Sequence, residues 1–257
     1  MKKKTLFRKG LEKVLSAKPR KRLQAQYAAW PNTPRPLAEW AALRAEIAKS
    51  YPYEHPLSLH YVPEAVSADL IEVSELRENL AGRTIGAWAL DVDSIHFYWA
   101  ELLRLRPEVI IECGSGTSTI MAGTYFKKTG INGQLISLEQ SEEEKASIEA
   151  TLEKLGLAEY VSVYYVPLGA DQNYDFSKFS PEMDQKADLI LVDGPRGSRL
   201  NTLPNLKKFA KSGARWFLDD ALRDSEQSYL QAWSKEEGIV VEGVIPLGKG
   251  FGTGSIR

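Results

Sequence analysis

An apolar run carries an acid and two closely spaced glycines into what reads as the start of a helix: Val109-Ile-Ile-Glu-Cys-Gly-Ser-Gly-Thr-Ser-Thr119. Gly114 and Gly116 can take backbone angles closed to other residues, and without side chains they let a ligand approach the main chain closely. Ser118 or Thr119 is placed to cap a helix running through Ile120, Met121 and Tyr125. A strand that turns sharply into a helix in this way limits the ligand-binding arrangements open to the chain.

Alone, the signal is shared by dinucleotide folds, methyltransferases and plain tight turns. The next segments narrow it. Gln134-Leu-Ile-Ser-Leu-Glu139 reads as a second short strand ending in an acid, and Ser141-Glu-Glu-Glu144 opens a helix to about Gly156. In an open α/β sheet, ligands sit outside the carboxyl ends of the strands, so an acid at the second strand's tip is where a ribose diol is held. The dinucleotide fingerprint wants a third glycine at Thr119, and the chain has none there. Glu112, two residues before Gly114, adds an acid inside the turn.

From about residue 86 to 257 the chain resembles a class I S-adenosylmethionine (SAM)-dependent methyltransferase. The resemblance is carried by Glu112-Cys-Gly-Ser-Gly116, Glu139, Ala187-Asp-Leu-Ile-Leu-Val-Asp-Gly-Pro195 and Arg215-Trp-Phe-Leu-Asp-Asp220. It implies a doubly wound, mostly parallel seven-stranded sheet of the Rossmann-like kind, here with a helical N-terminal extension over residues 1–63 and the SAM-binding domain over 64–257. It also implies that the Gly114, Ser115 and Gly116 backbone accepts the methionine end of the cofactor, with Glu112 beneath it. Glu139 would bind the ribose hydroxyls, and Pro167-Leu-Gly-Ala170 would flank the adenine, placing Gly169 and Ala170 in the cofactor site. Ser118, where many members carry a third glycine, and Asp193 complete that set.

Further α/β units follow at regular intervals. Val161–Pro167 reads as a third strand, Asp188–Val192 as a fourth, Ala214–Leu218 as a fifth and Ile239–Ile245 as a sixth, with helices from about Asn201 to Lys211 and Asp224 to Glu236. Their near-continuous apolar runs suit a parallel sheet buried on both faces. Phe251-Gly-Thr-Gly-Ser-Ile-Arg257 returns as an antiparallel edge strand after Gly248-Lys-Gly250, a terminal pair that the resemblance also implies.

The fourth and fifth strands end in Asp193 and in Asp219 and Asp220, so adjacent parallel strands would deliver three carboxylates to the ligand side of the sheet. Clustered oxygen ligands suit a hard divalent ion such as Mg2+. The arrangement resembles metal-dependent O-methyltransferases of the catechol and macrolide-sugar types, which implies Asp193, Asp219 and Asp220 as metal ligands and Asp193 as a general base. Aspartates at strand ends also commonly serve as turn or cap residues. His96, in Asp91-Val-Asp-Ser-Ile-His-Phe-Tyr-Trp99, is a second candidate base; His55 and His60 are the other histidines, and Tyr98 and Trp99 read as core. Arg196 and Arg199 flank Gly197 and are expected in solvent, where a guanidinium can meet a carboxylate or phosphate.

The 257 residues, 43% hydrophobic and 26% charged, suit one sizeable α/β domain with an extension. One cysteine cannot form an internal disulfide, which points to a reduced, cytoplasmic setting. No apolar run approaches the roughly 18 residues of a membrane span. The net charge of −1 hides an asymmetry: ten lysines and arginines from Lys2 to Arg22 face only Glu12. Leu6, Phe7, Leu11, Val14 and Leu15 fall at helical spacing among them, so this segment can lie on an anionic membrane surface or polyanion, or simply be solvated. Pro31 to Pro63 is rich in proline and aromatics, with a helix expected from Leu37 to Lys49 and Tyr51–Pro56 as a connector or lid.

The expectation is therefore methyl transfer to a hydroxyl of a small molecule or glycan, with divalent-metal help. Nucleic-acid methylation gripped by the basic N-terminus and a non-enzymatic SAM-binding scaffold are the alternatives.

Overall fold

A computed structural model of the protein describes residues 79–80, 89–90, 92–245 and 249–257. The basic segment, the expected helix at 37–49, the connector at 51–56, His55 and His60 lie outside the described residues.

The elements run α1 (Val92–Leu105), β1 (Val109–Cys113), α2 (Thr117–Thr129), β2 (Gln134–Glu139), α3 (Glu142–Leu155) and β3 (Val161–Tyr165). They continue with β4 (Ala187–Val192), α4 (Arg199–Leu206), β5 (Ala210–Asp219), α5 (Asp224–Trp233), β6 (Ile239–Ile245) and β7 (Phe251–Ile256). The seven strands form one sheet in the order β3-β2-β1-β4-β5-β7-β6. The first five strands pair in parallel, and β7 slots antiparallel between β5 and β6. The chain thus winds outward from β1 in both directions, and the reversal between β1 and β4 opens a crevice at the carboxyl ends of those strands.

Both faces of the sheet are covered, as the apolar runs predict. Along β1, Ile110 packs into one layer with Ile120, Met121 and Tyr125 of α2, while Val109, Ile111 and Cys113 face the other with Leu203 and Leu206 of α4. All five residues of β1 are buried. That includes Glu112, whose carboxyl therefore depends on hydrogen bonds rather than water. Tyr98 and Trp99 are fully buried in the first layer.

Several boundaries differ from the sequence expectation: β3 ends at Tyr165 rather than Pro167, α5 ends at Trp233 rather than Glu236, and three further differences have a visible cause. Helix α2 starts at Thr117, so neither Ser118 nor Thr119 caps it; Gly116 is the cap residue and donates its N–H to Thr119 Oγ1 at 2.7 Å. Helix α4 starts at Arg199 and ends at Leu206, and the following Lys207–Phe209 tightens into a single 3-10 turn. Pro204 lies inside α4 and has no N–H to give to Leu200; the indole Nε1 of Trp233 donates to that carbonyl instead, at 2.7 Å. Strand β5 begins four residues early, at Ala210, because a bulge against β4 absorbs the turn-prone Lys211-Ser-Gly213 stretch.

Candidate active site

The glycine turn is fixed to both neighbouring strands. Gly114 N donates to Leu138 O at 2.8 Å, and Asp193 N donates to Cys113 O at 3.0 Å. Gly114 has φ 88°, and a Cβ there would fall 1.9 Å from the Asp193 carbonyl oxygen. Its glycine identity is thus dictated by the close passage of β1 and β4. Gly116 differs: a Cβ there would meet no atom of the described residues within 4 Å, which leaves room for a ligand on that side.

Glu112 points into the interior. Thr119 Oγ1 donates to Glu112 Oε1, and Ser137 Oγ donates to the same oxygen at 2.8 Å. Since Thr119 also receives the Gly116 N–H, one hydroxyl ties the helix start to the acid of β1. Burial pushes the Glu112 carboxyl up to about 7, with the Thr119, Ser118 and Ser137 hydroxyls pulling the other way. The acid is therefore poised to gain or lose a proton near neutrality.

Glu139 closes β2 and reaches back to the same turn. Ser115 gives both its N–H (3.1 Å) and its hydroxyl (2.8 Å) to Glu139 Oε2, while Ser141 N donates to Oε1 at 2.9 Å. Ser115 and Glu139, separated by the whole of α2, thus form one rim. Ser118 sits in the first turn of α2 and is buried. Gly169 and Ala170 lie in a tight turn closed by Gly169 N to Asn173 O at 2.7 Å and by a bridge between Leu168 and Tyr174. Tyr174 at the end of this turn packs over Gly194 and donates to Gln140 Oε1 at 3.3 Å. Tyr174 had no distinguishing signal in the sequence, because only the fold brings it beside Glu139's neighbour.

The three aspartates do converge: Asp193, Asp219 and Asp220 each offer a carboxylate oxygen within 4.8 Å of the others. Their side chains are 12%, 1% and 3% exposed, so Asp193 is the most accessible of the three. Asp220 adopts a left-handed backbone conformation, φ 60°, at the β5 tip. The turn after it is held by Ala221 N to Gly250 O at 3.0 Å and Leu222 N to Lys249 O at 3.1 Å.

Arg199 overturns the expectation of solvent exposure, since its side chain is 5% exposed and lies inside the acid cluster. Nη2 lies 3.0 Å from Asp193 Oδ1 and 3.2 Å from Asp220 Oδ2, and Nη1 lies 3.5 Å from Glu226 Oε1. Nε donates to Gly194 O at 2.9 Å and Nη1 to Asp219 O at 2.8 Å. Arg223 Nη1 reaches Asp220 Oδ2 at 2.7 Å, and Lys249 Nζ lies 3.4 Å from Asp220 Oδ1 and 3.7 Å from Asp219 Oδ2. Burial works against the guanidinium charge, but Asp193, Asp220, Asp219 and Glu226 outweigh it and hold Arg199 ionised. Burial raises the Asp193 carboxyl, with Arg199 opposing and Asp220 adding to the rise.

A cation in the first turn of a helix opposes the helix dipole unless acids surround it. That was the available signal for Arg199, hidden because the sequence placed the helix start near Asn201. Arg196 is exposed, as expected. His96 lies on α1.

No family model matches the chain, and no curated protein matches it. Solved structures do. The SAH-bound methyltransferase PaMTH1 of Podospora anserina is similar with a TM-score of 0.57 and 13% identity, over 95% of this chain and 97% of that chain. The O-methyltransferase TomG of Streptomyces achromogenes, involved in tomaymycin synthesis and solved with SAM, gives 0.55 and 13% over 86% and 98%. The O-methyltransferase from Bacillus cereus in complex with SAH gives 0.54 and 16% over 86% and 99%. At such identity the likeness is one of architecture, and the fold of this chain is that of the class I SAM-dependent methyltransferases.

Proposed function

We propose that the protein is a SAM-dependent methyltransferase that moves a methyl group to a hydroxyl of a small molecule or glycan. The observation that carries this reading is the convergence of Gly116, Glu139 and Asp193 at the carboxyl ends of β1, β2 and β4. Ligands bind there in open α/β sheets. The names of similar structures as O-methyltransferases, two of them bound to SAM or SAH, support the same chemistry.

The residues fit the cofactor. The open face of Gly116 admits close approach, and Glu139, anchored by Ser115 and Ser141, is fixed for hydroxyl recognition. When bound, SAM would supply a methyl group already activated by its sulfonium. The chain's own task is then to orient an acceptor oxygen and remove its proton. Orientation of this kind is worth roughly 7–11 kcal/mol. Asp193 is the base: Arg199 holds Oδ1, the side chain reaches the crevice, and burial raises its proton affinity. His96 remains a second candidate by its position on α1 alone.

A resident divalent ion does not fit the cluster as it stands. Both oxygens of Asp220 lie within 3.4 Å of a cationic nitrogen, and Asp193 Oδ1 is held by Arg199.

No helix among the described residues is long and apolar enough to cross a membrane. Cytoplasmic residence is proposed on the single cysteine, and contact with an anionic membrane surface on the charge of residues 2–22. Titration with SAH by calorimetry tests the central reading: micromolar binding that is lost in Glu139→Ala is expected, and no binding to the wild type overturns it.

A further inference from the structure

The environment of the Arg199 guanidinium is a cage of oxygens. Two carbonyls, Gly194 O at 2.9 Å and Asp219 O at 2.8 Å, and three carboxylates, of Asp193 at 3.0 Å, Asp220 at 3.2 Å and Glu226 at 3.5 Å, converge on it. A collection of carboxylate and carbonyl oxygens around one point is the donor set of a hard cation. Here a side chain of the same polypeptide fills it.

The cage is built by the fold. Asp193 and Gly194 come from the tip of β4, Asp219 and Asp220 from the tip of β5, and Glu226 from the first turn of α5. Arg199 enters from the first turn of α4, six residues after Asp193, so its anchor and its partners are fixed by adjacent strands. Lys249, beside the β7 start, closes the far side on Asp219 and Asp220, and its Nζ also donates to Ala89 O at 3.1 Å. Among the described residues, four carboxylates thus face three cationic side chains, Arg199, Arg223 and Lys249. These seven groups leave a single negative charge, and the most exposed of the four carboxylates is Asp193.

We propose that Arg199 holds the place of a divalent ion in this site, so that the enzyme methylates its acceptor without metal, with Asp193 as the base that Arg199 positions. The proposal rests on the methyltransferase reading. Arg199 gives its donors to the protein and acts as a positioning residue, one that fixes Asp193 Oδ1 and leaves the rest of that carboxylate toward the crevice. The acceptor proton passes to Asp193, not to a metal-bound base, and the acceptor oxygen takes the methyl group as sulfur takes the electron pair.

The test uses the full chain and two probes in parallel, SAH by calorimetry and Mn2+ by electron paramagnetic resonance. Wild-type protein is expected to bind SAH with an affinity that chelator changes by less than twofold, and to leave Mn2+ free at micromolar concentrations. Arg199→Ala, which empties the oxygen cage, is expected to gain a Mn2+ site that Asp193→Asn in the same background removes; Arg199→Gln serves if the alanine variant does not fold. Stoichiometric Mn2+ binding by the wild type, lost in Asp219→Asn or Asp220→Asn, overturns the proposal. So does a folded Arg199 variant that gains no Mn2+ affinity. Absence of SAH binding would remove the methyltransferase reading, while the Mn2+ arm still decides whether the cluster admits a metal.

Discussion

Arg199 Nη2 lies 3.0 Å from Asp193 Oδ1, joining the first turn of α4 to the tip of the strand that precedes it. With 5% and 12% of their side chains exposed, the two are shielded from the solvent screening that makes surface pairs weak. Removing one member of such a pair leaves uncompensated charge in the interior. Arg199→Ala is accordingly expected to lose about 3–5 kcal/mol of stability, read as a lower midpoint in urea. A loss under about 1 kcal/mol would show that water enters the cluster and relaxes it.

Asp193→Asn keeps the shape of the side chain but cannot accept the acceptor's proton. Once an acceptor is in hand, kcat should fall by about 10²–10⁴-fold while SAH affinity stays within a few-fold of wild type. Equal losses in SAH affinity and kcat would instead assign Asp193 to cofactor holding.

The two glycines of the turn separate a structural from a ligand requirement. Gly114→Ala drives a Cβ to 1.9 Å from the Asp193 carbonyl, at φ 88°. It is expected to destabilise the fold by about 2 kcal/mol or more. Gly116→Ala meets no atom of the described residues within 4 Å, so its melting temperature should stay close to wild type while SAH binding weakens. Thermal melts paired with SAH titrations check both.

Glu112 gives stability a pH dependence of known sign. Its folded carboxyl sits at about 7, above the ordinary value of 4.5. Between those values the folded state holds a proton that the unfolded state has released, so this group's contribution is fully present below 4.5 and is lost as pH rises toward 7. At 1.36 kcal/mol per pH unit the loss is roughly 3 kcal/mol. Urea midpoints across this window should fall with rising pH in the wild type and fall less in Glu112→Gln; parallel slopes would refute the assignment.

Trp233 Nε1 satisfies the Leu200 carbonyl that Pro204 leaves without a helical donor, and its ring meets Trp216 edge-on at 5.5 Å. Trp233→Phe keeps most of the ring contact and removes the donor, so it should cost about 0.5–1.5 kcal/mol plus part of the lost packing. Pro204→Ala restores a backbone N–H for that carbonyl, and combining the two should recover part of the loss in thermal melts.

The local patterns were sufficient for the sheet. Apolar runs as short as Val109–Cys113 and Ala187–Val192 are buried almost throughout, which suits central strands of a parallel sheet covered by helices on both faces. The Gly114–Gly116 turn, the Glu139 tip and the meeting of Asp193, Asp219 and Asp220 were legible for the same reason, since strand ends in such a sheet share one rim. Boundaries were less so: the early start of β5 follows from a bulge against β4, and the short α4 from the 3-10 turn that follows it, neither of which has a periodic signature.

By itself, then, the sequence determined which residues reach the carboxyl edge of the sheet, because strand length and alternation with helices are local properties. It did not determine what those residues meet there. The partners of Asp193, Asp219 and Asp220 come from α4, the turn into α5 and the chain before β7, and Thr119 and Tyr174 reach their contacts only after β1, β2 and β4 align. The burial of Arg199 is a property of the assembled strands: a guanidinium that reads as a surface charge along the chain becomes the centre of an acid cluster when two parallel strands end side by side.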